Sequence, residues 1–173
     1  FFSKIGFDDK INFEIKEAAL PLGNKNNWGE LETMTIGFGY GFAVTPLHIV
    51  SAYSSLINNG NKTNPTLLKN MAYYNDTKIV KNSTSSYFIK ILRAVVLETN
   101  YTGPRVKIEG YEIGGKTGTA ELRNESGHYQ KDVNMTSFIG VFPISKPKYV
   151  VLAMIENPKK IKKENYSITG ATV

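Results

Sequence analysis

The sequence contains no cysteine among its 173 residues. That absence excludes a disulfide framework, a thiol nucleophile and any cysteine-based zinc site. Histidine is nearly as scarce: His48 and His128 are the only two, too few for a three-histidine metal centre. Arginine occurs three times, at Arg93, Arg105 and Arg123, against 18 lysines. No apolar run reaches the length of a transmembrane helix, and no signal peptide is visible. An initiator methionine is also missing. The chain opens on Phe1-Phe2-Ser3, and the expectation is a piece of a longer protein.

What is present reads as globular. Apolar residues make up 41% and charged residues 21%, and the length suits one domain with a real core. The net charge of +6 comes from lysine. Six lysines crowd the end of the chain: Lys146, Lys148, Lys159, Lys160, Lys162 and Lys163. A nucleic-acid surface wants arginines and aromatics on one platform. This segment lacks them, so it reads as a solvated face and no nucleic-acid partner is expected.

Residues 1–44 read as irregular and glycine-rich, with Gly37-Phe38-Gly39-Tyr40-Gly41 as a loop. Trp28 reads as a core or loop anchor. Thr45-Pro46 then opens a helix, with threonine as N-cap and proline at the first helical position. Leu47, Val50, Tyr53 and Ile57 share a face that Ile49, Ala52 and Leu56 widen. His48 reads as a surface or packing residue. Asn58-Asn59-Gly60 supplies a left-handed stop. Residues 61–82 predict a loop with a minor hairpin. A second helix starts near Ser83 or Thr84 and ends near Glu98, with Phe88, Ile91, Leu92 and Val95 at helical spacing. Three strands follow, at about 112–121, 136–142 and 149–156, the last two joined by the turn-rich 143–148. Helices followed by an antiparallel meander predict an α+β or mixed α/β sandwich.

The stretch Gly114-Gly115-Lys116-Thr117-Gly118-Thr119-Ala120 admits two chemical readings. Gly110 to Thr117 matches G-x-x-x-x-G-K-T, a phosphate loop. That motif needs a strand before it and a helix beginning at the lysine. Gly118 and the Asn124-Glu125-Ser126-Gly127 turn argue against such a helix. The other reading is a K-T-G-T edge strand lining an acyl-transfer cleft. Lys116 is then a fixed cation, with Thr117 and Thr119 as hydroxyl donors around it. Gly118 lets a substrate backbone approach the strand. K-T-G accompanies S-x-x-K in penicillin-recognising serine enzymes.

Several further stretches make the second reading specific. Met34-Thr35-Ile36-Gly37-Phe38-Gly39-Tyr40-Gly41, Val44-Thr45-Pro46-Leu47-His48, Ala52-Tyr53 and Asn59-Gly60 precede the motif, and Phe138-Ile139-Gly140-Val141-Phe142-Pro143 follows it. In this order, over nearly the whole chain, they resemble the C-terminal half of the transpeptidase domain of a class B penicillin-binding protein, of the septal peptidoglycan-synthase type. The resemblance implies the penicillin-binding transpeptidase or serine β-lactamase-like fold, an antiparallel sheet flanked by helices, with residues 1–173 as one partial domain. It implies D,D-transpeptidation, in which a serine attacks the D-Ala-D-Ala carbonyl of a stem peptide and an amine takes the acyl group. Lys116 and Thr119 would be catalytic, the Thr119 N–H being one oxyanion donor. Thr117, Gly118 and Thr119 would bind the substrate carboxylate, and His128 and Tyr129 would lie in a loop bordering the cleft. Implied partners are peptidoglycan stem peptides, β-lactams and other division or cell-wall proteins, with no cofactor and no metal. The implied location is the bacterial inner membrane, with the catalytic domain in the periplasm.

The departures matter as much. The only S-x-x-K match is Ser145-Lys146-Pro147-Lys148, inside a turn, and S-x-N occurs nowhere. No nucleophile is expected in this chain, and alone it is expected not to acylate. A fragment of this kind could expose apolar surface and dimerise. Two alternatives stay open: a non-catalytic binding or scaffold module of the same fold, and a nucleotide binder using Gly110–Thr117. A serine β-lactamase is a weaker enzyme alternative.

Overall fold

The computed structural model describes residues 1–23, 28–69, 74–98 and 103–159. The chain divides into two units, Phe1–Phe88 and Ile89–Val173.

The first unit begins with α1 (Phe2–Ile5) and α2 (Glu30–Gly37). The sequence predicts no helix here, and α2 shows why. It buries no residue, so no apolar stripe marks it. Glu30 and Glu32 in its first turn suit the positive end of the helix dipole. Gly37 closes this helix rather than belonging to the loop. Phe2, Phe7, Trp28 and Phe42 form an aromatic cluster, with centroids 5.1 Å apart for Phe2–Trp28 and 5.5 Å for Phe2–Phe42. Trp28 therefore packs as an anchor, as the sequence suggests.

The predicted helix over Thr45–Ile57 is α3 (Pro46–Ile57), capped by the Thr45 side chain. Asn59 and Gly60 take the left-handed φ values of 52° and 76° expected of the stop. The deepest stripe differs from the expected one: His48, Ala52 and Ser55 are the buried residues, not Leu47, Val50 and Ile57. Each polar member is satisfied by hydrogen bonds. His48 Nδ1 lies 2.7 Å from Thr45 Oγ1 and Nε2 lies 3.0 Å from the Asp9 carbonyl. Ser55 Oγ donates to the Ser51 carbonyl and accepts from Thr63 N–H, both at 2.8 Å. Ser51 Oγ donates to the Thr63 carbonyl at 2.8 Å. This clasp ties α3 to β1 (Asn61–Thr63), which pairs antiparallel with β2 (Tyr74–Lys78) as the expected minor hairpin. Ile5, Ala52 and Ile79 form the apolar core, with Phe7 and Val80 against it.

The second predicted helix is α4 (Asn82–Glu98). Its early Ser85 belongs to the first unit and donates to the Leu56 carbonyl at 2.6 Å. Its later Leu92 and Val96 are buried. After the short α5 (Gly103–Val106), the second unit is a three-stranded antiparallel sheet in the order β3-β4-β5. The strands are β3 (Gly114–Arg123), β4 (Tyr129–Phe142) and β5 (Tyr149–Glu156). β5 has the predicted limits. β3 starts two residues later than expected, and β4 starts at Tyr129 rather than 136, because the polar run 129–135 pairs with β3 despite its weak apolar pattern. Ile113, Ile139, Val141 and Ile144 are buried here. Among the described residues no helix is long and apolar enough to cross a membrane.

Candidate active-site strand

Two adjacent glycines let β3 sit where it does. A Cβ on Gly114 would lie 2.6 Å from Ile144 Cδ1 and 3.1 Å from the Leu92 carbonyl carbon, so the backbone of α4 comes directly onto this strand. A Cβ on Gly115 would lie 2.4 Å from the Phe138 ring on the opposite face. The chain just before β3 is pinned twice. Arg93 Nη1 donates to the Ile113 carbonyl at 2.7 Å, and Ile144 N–H donates to the Glu112 carbonyl at 2.8 Å. Ser145 Oγ donates to the Glu112 carboxylate. The serine of the S-x-x-K coincidence is thus employed in the β4–β5 turn.

Register decides which groups β3 presents. Lys116 lies opposite Ile139, Thr117 opposite Phe138, Gly118 opposite Ser137 and Thr119 opposite Thr136. Alternation puts Thr117 and Thr119 on one face and Lys116 on the other. The expected ring of two hydroxyls around the lysine is therefore built differently. The Lys116 side chain leaves its own face and reaches along the edge, where Nζ donates to the Thr117 carbonyl at 2.7 Å and approaches Thr117 Oγ1 at 3.4 Å. The cation and the hydroxyl face meet at the rim of the strand.

The backbone of the edge follows from β4. Asn157 N–H donates to the Asn134 carbonyl at 2.7 Å. Asn134 therefore turns its backbone groups toward β5. In an antiparallel ladder these directions alternate, so Thr136 and Phe138 also face β5, while Met135, Ser137 and Ile139 face β3. Their β3 partners Ala120, Gly118 and Lys116 point into the sheet. Thr117 and Thr119 point their N–H and C=O groups outward, to an edge no described strand covers. Thr119 thus offers a hydroxyl and a backbone N–H at one place, and Thr117 a second hydroxyl beside them.

Gly118 has a reason the sequence does not reveal. A Cβ there would lie 2.6 Å from Ser137 Oγ. The space is taken by a side chain of this unit rather than reserved only for a ligand. Arg93 and Ser137 are the supporting residues that sequence reasoning missed. Neither carries a motif; only the register and the α4–β3 approach disclose them.

His128 and Tyr129 sit elsewhere along the sheet. Tyr129 is not in the loop but opens β4, paired with Arg123. Arg123 Nη2 donates to its hydroxyl at 2.9 Å, and the guanidinium carbon lies 4.6 Å from the ring centre. His128 is exposed on the turn, with its N–H bonded to Asn124 Oδ1 at 2.9 Å. Four strand positions separate Thr119 from Arg123, about 13 Å at ~3.3 Å per residue. The structure does not bring this pair together with Lys116, Thr117 and Thr119.

The phosphate-loop reading fails on geometry. Gly114 to Arg123 form a strand, so no helix begins at Lys116, and the N–H groups needed to cradle a phosphate are drawn into a ladder or turned to an edge. Among the described residues no group of three His, Asp or Glu side chains could hold a metal ion.

Comparison with known proteins agrees with the K-T-G-T reading. A sequence model of the penicillin binding protein transpeptidase domain matches residues 1–173. The peptidoglycan D,D-transpeptidase FtsI homolog of Mesostigma viride is 33% identical over 151 residues, which are 74% of this chain and 25% of that protein. Stage V sporulation protein D of Bacillus subtilis is 30% identical over 172 residues, 92% of this chain and 26% of that protein. The chain thus spans about a quarter of the length of the curated relatives it matches. Penicillin binding protein 3 of Mycobacterium tuberculosis, solved in complex with ampicillin, superposes with a TM-score of 0.79 at 26% identity, covering 91% of this chain and 38% of that one. The same protein with aztreonam gives 0.84 over 99% of this chain and 42% of that one, at 24% identity, a likeness of fold. A glycine-paired edge strand carrying K-T-G-T, a helix laid on its first glycine and a family match from end to end all agree: the chain belongs to the penicillin-binding protein transpeptidase family.

Proposed function

We propose that this chain is the β3-bearing wall of a peptidoglycan D,D-transpeptidase whose serine nucleophile lies outside these 173 residues. The open edge of β3 carries the reading. It places two hydroxyls, one ammonium and two outward N–H groups within the four consecutive residues Lys116 to Thr119. A stem peptide ending in D-Ala-D-Ala presents a carboxylate, an extended backbone and one carbonyl to be attacked. Thr117 and Thr119 hydroxyls donate to the carboxylate, and Lys116 supplies the positive potential there. The peptide backbone pairs with the outward groups of Thr117 and Thr119. The Thr119 N–H donates to the carbonyl oxygen as negative charge builds on it. Such a donor typically contributes 100- to 1000-fold in rate. The serine oxygen forms the acyl bond, D-Ala departs with the proton as the free amine, and an amine of a neighbouring stem takes the acyl group. His128 and Tyr129 have no role at the reacting atoms; a long stem peptide would pass them beyond its reacting end.

This reading places the parent enzyme in cell-wall synthesis, anchored in the inner membrane with its catalytic domain in the periplasm. Its partners there would be other division proteins, and β-lactams would be its inhibitors. The test is covalent labelling by a fluorescent penicillin. The 173-residue chain alone stays unlabelled, and the longer protein that carries it is labelled with one-to-one stoichiometry. Labelling of the chain alone would contradict the missing nucleophile. A longer protein that folds but takes no label would identify a non-catalytic binding module instead.

A further inference from the structure

Thr136 is fully buried and its hydroxyl has no hydrogen-bond partner. Buried polar groups are nearly always paired, so an exception calls for a physical reason. Thr63 is the other such hydroxyl among the described residues, but its backbone is already clasped by Ser51 and Ser55. Thr136 has a different neighbour. It stands directly opposite Thr119, on the same face of the sheet. Thr119 turns its backbone groups outward, so this is a non-hydrogen-bonded pair, the type in which Cα atoms come to about 4.5 Å and side chains lie closest.

A threonine hydroxyl has one proton and two acceptor sites. If Thr119 is to donate to a carboxylate, its proton must point outward, and its oxygen then has an acceptor site facing the sheet. Thr136 is the hydroxyl placed to fill it. Resting on the proposed function, we infer that Thr136 is a positioning residue for the carboxylate site: when ligand binds, its O–H turns to donate to Thr119 Oγ1, and Thr119 donates onward to the carboxylate. Each bond in such a chain polarises the next. The Thr136 hydroxyl gains its partner only in the bound state, so the hydrogen-bond chain favours ligand-bound over ligand-free protein.

The experiment uses the longer protein that carries this chain, with second-order acylation rates measured for a penicillin and for its carboxylate methyl ester. Thr136→Val keeps the shape and removes the hydroxyl; Thr136→Ser keeps the hydroxyl. The expected result is a roughly threefold to tenfold slower reaction of Thr136→Val with the free acid, an unchanged rate with the ester, and near-complete rescue in Thr136→Ser. Thr119→Val and the double variant should be equally slow with the acid, because Thr136 acts through Thr119. Equal slowing of acid and ester in Thr136→Val would mean mere structural damage and would overturn the inference. So would a wild-type rate in Thr136→Val alongside a slow Thr119→Val. A wild-type rate in Thr119→Val would instead sink the carboxylate reading on which the inference rests.

Discussion

The two units use polar side chains in opposite ways. In residues 1–88 they are turned inward to hold backbone. His48 bonds the Asp9 carbonyl, Ser51 and Ser55 clasp Thr63, and Ser85 holds the end of α3 through Leu56. In residues 89–159 the ladder β3-β4-β5 satisfies the backbone between its strands and leaves one edge of β3 open. Thr117, Thr119 and Lys116 are left at one rim, apart from the short reach of Lys116 to its neighbour. Ligand chemistry can sit only where polar groups stay outward. A buried side chain turned inward to backbone is out of a ligand's reach, whereas an edge strand carries both side-chain and main-chain groups outward.

Four changes test that contrast. The largest effect is expected at the rim. Lys116→Ala in the longer protein should slow acylation by a penicillin by about 10- to 100-fold, because it removes the cation beside the drug carboxylate and a contact with a charged group is worth about 1.5–3 kcal/mol. Its melting temperature should barely move, because the side chain is exposed. In the first unit the large effects are on folding. Gly60→Ala puts a Cβ 2.3 Å from the Val80 carbonyl oxygen at a φ of 76°. Left-handed strain and overpacking together should remove about 2 to 4 kcal/mol, read from urea denaturation. Ser55→Ala strips Thr63 N–H of its acceptor in a buried setting, and a loss of about 1 to 3 kcal/mol is expected by the same measurement.

The smallest effect concerns Glu14. Its carboxylate accepts from the Thr66 hydroxyl and from Leu67 N–H at 3.0 Å, and these bonds, Thr66 first, hold it below its ordinary value of 4.5. A depressed folded-state value means the contribution is present above the ordinary carboxylate range and lost as pH falls through the folded value. Glu14→Gln should therefore cause a slight loss of stability at pH 7 that vanishes in acid, seen as a flatter melting temperature between pH 6 and 3. The group is fully exposed, so a large drop at pH 7 would contradict the assignment.

Much of this was legible in residues that obey one local rule. Thr45-Pro46 marked the start of α3 and Asn59-Gly60 its end, because capping and left-handed stops depend on a few adjacent residues. Tyr149–Glu156 is apolar enough to declare its own limits. K-T-G-T, together with the stretches around it, disclosed the family. What stayed hidden depends on partners far away in sequence. α2 has no apolar face to announce it. The polar first half of β4 is a strand because β3 pairs with it. The inward stripe of α3 runs through His48 and Ser55 because backbone acceptors and donors await them, which hydropathy does not record. The sequence suggests one cluster of Lys116 and the two threonines, yet they occupy opposite faces joined only by a side chain bent along the rim. The lysine-rich end divides: Lys146, Lys148 and Lys159 are exposed, as a solvated face requires, while Lys160, Lys162 and Lys163 fall outside the described residues.

On the proposed function, the outward rim of β3 holds the substrate carboxylate and the reacting carbonyl. A crystal structure of the penicillin adduct of the longer protein tests it directly. The drug carboxylate is expected within hydrogen-bond distance of both Thr117 Oγ1 and Thr119 Oγ1, with the acyl oxygen on the Thr119 N–H. An adduct whose carboxylate contacts neither hydroxyl, with the Thr119 N–H left to solvent, would contradict it.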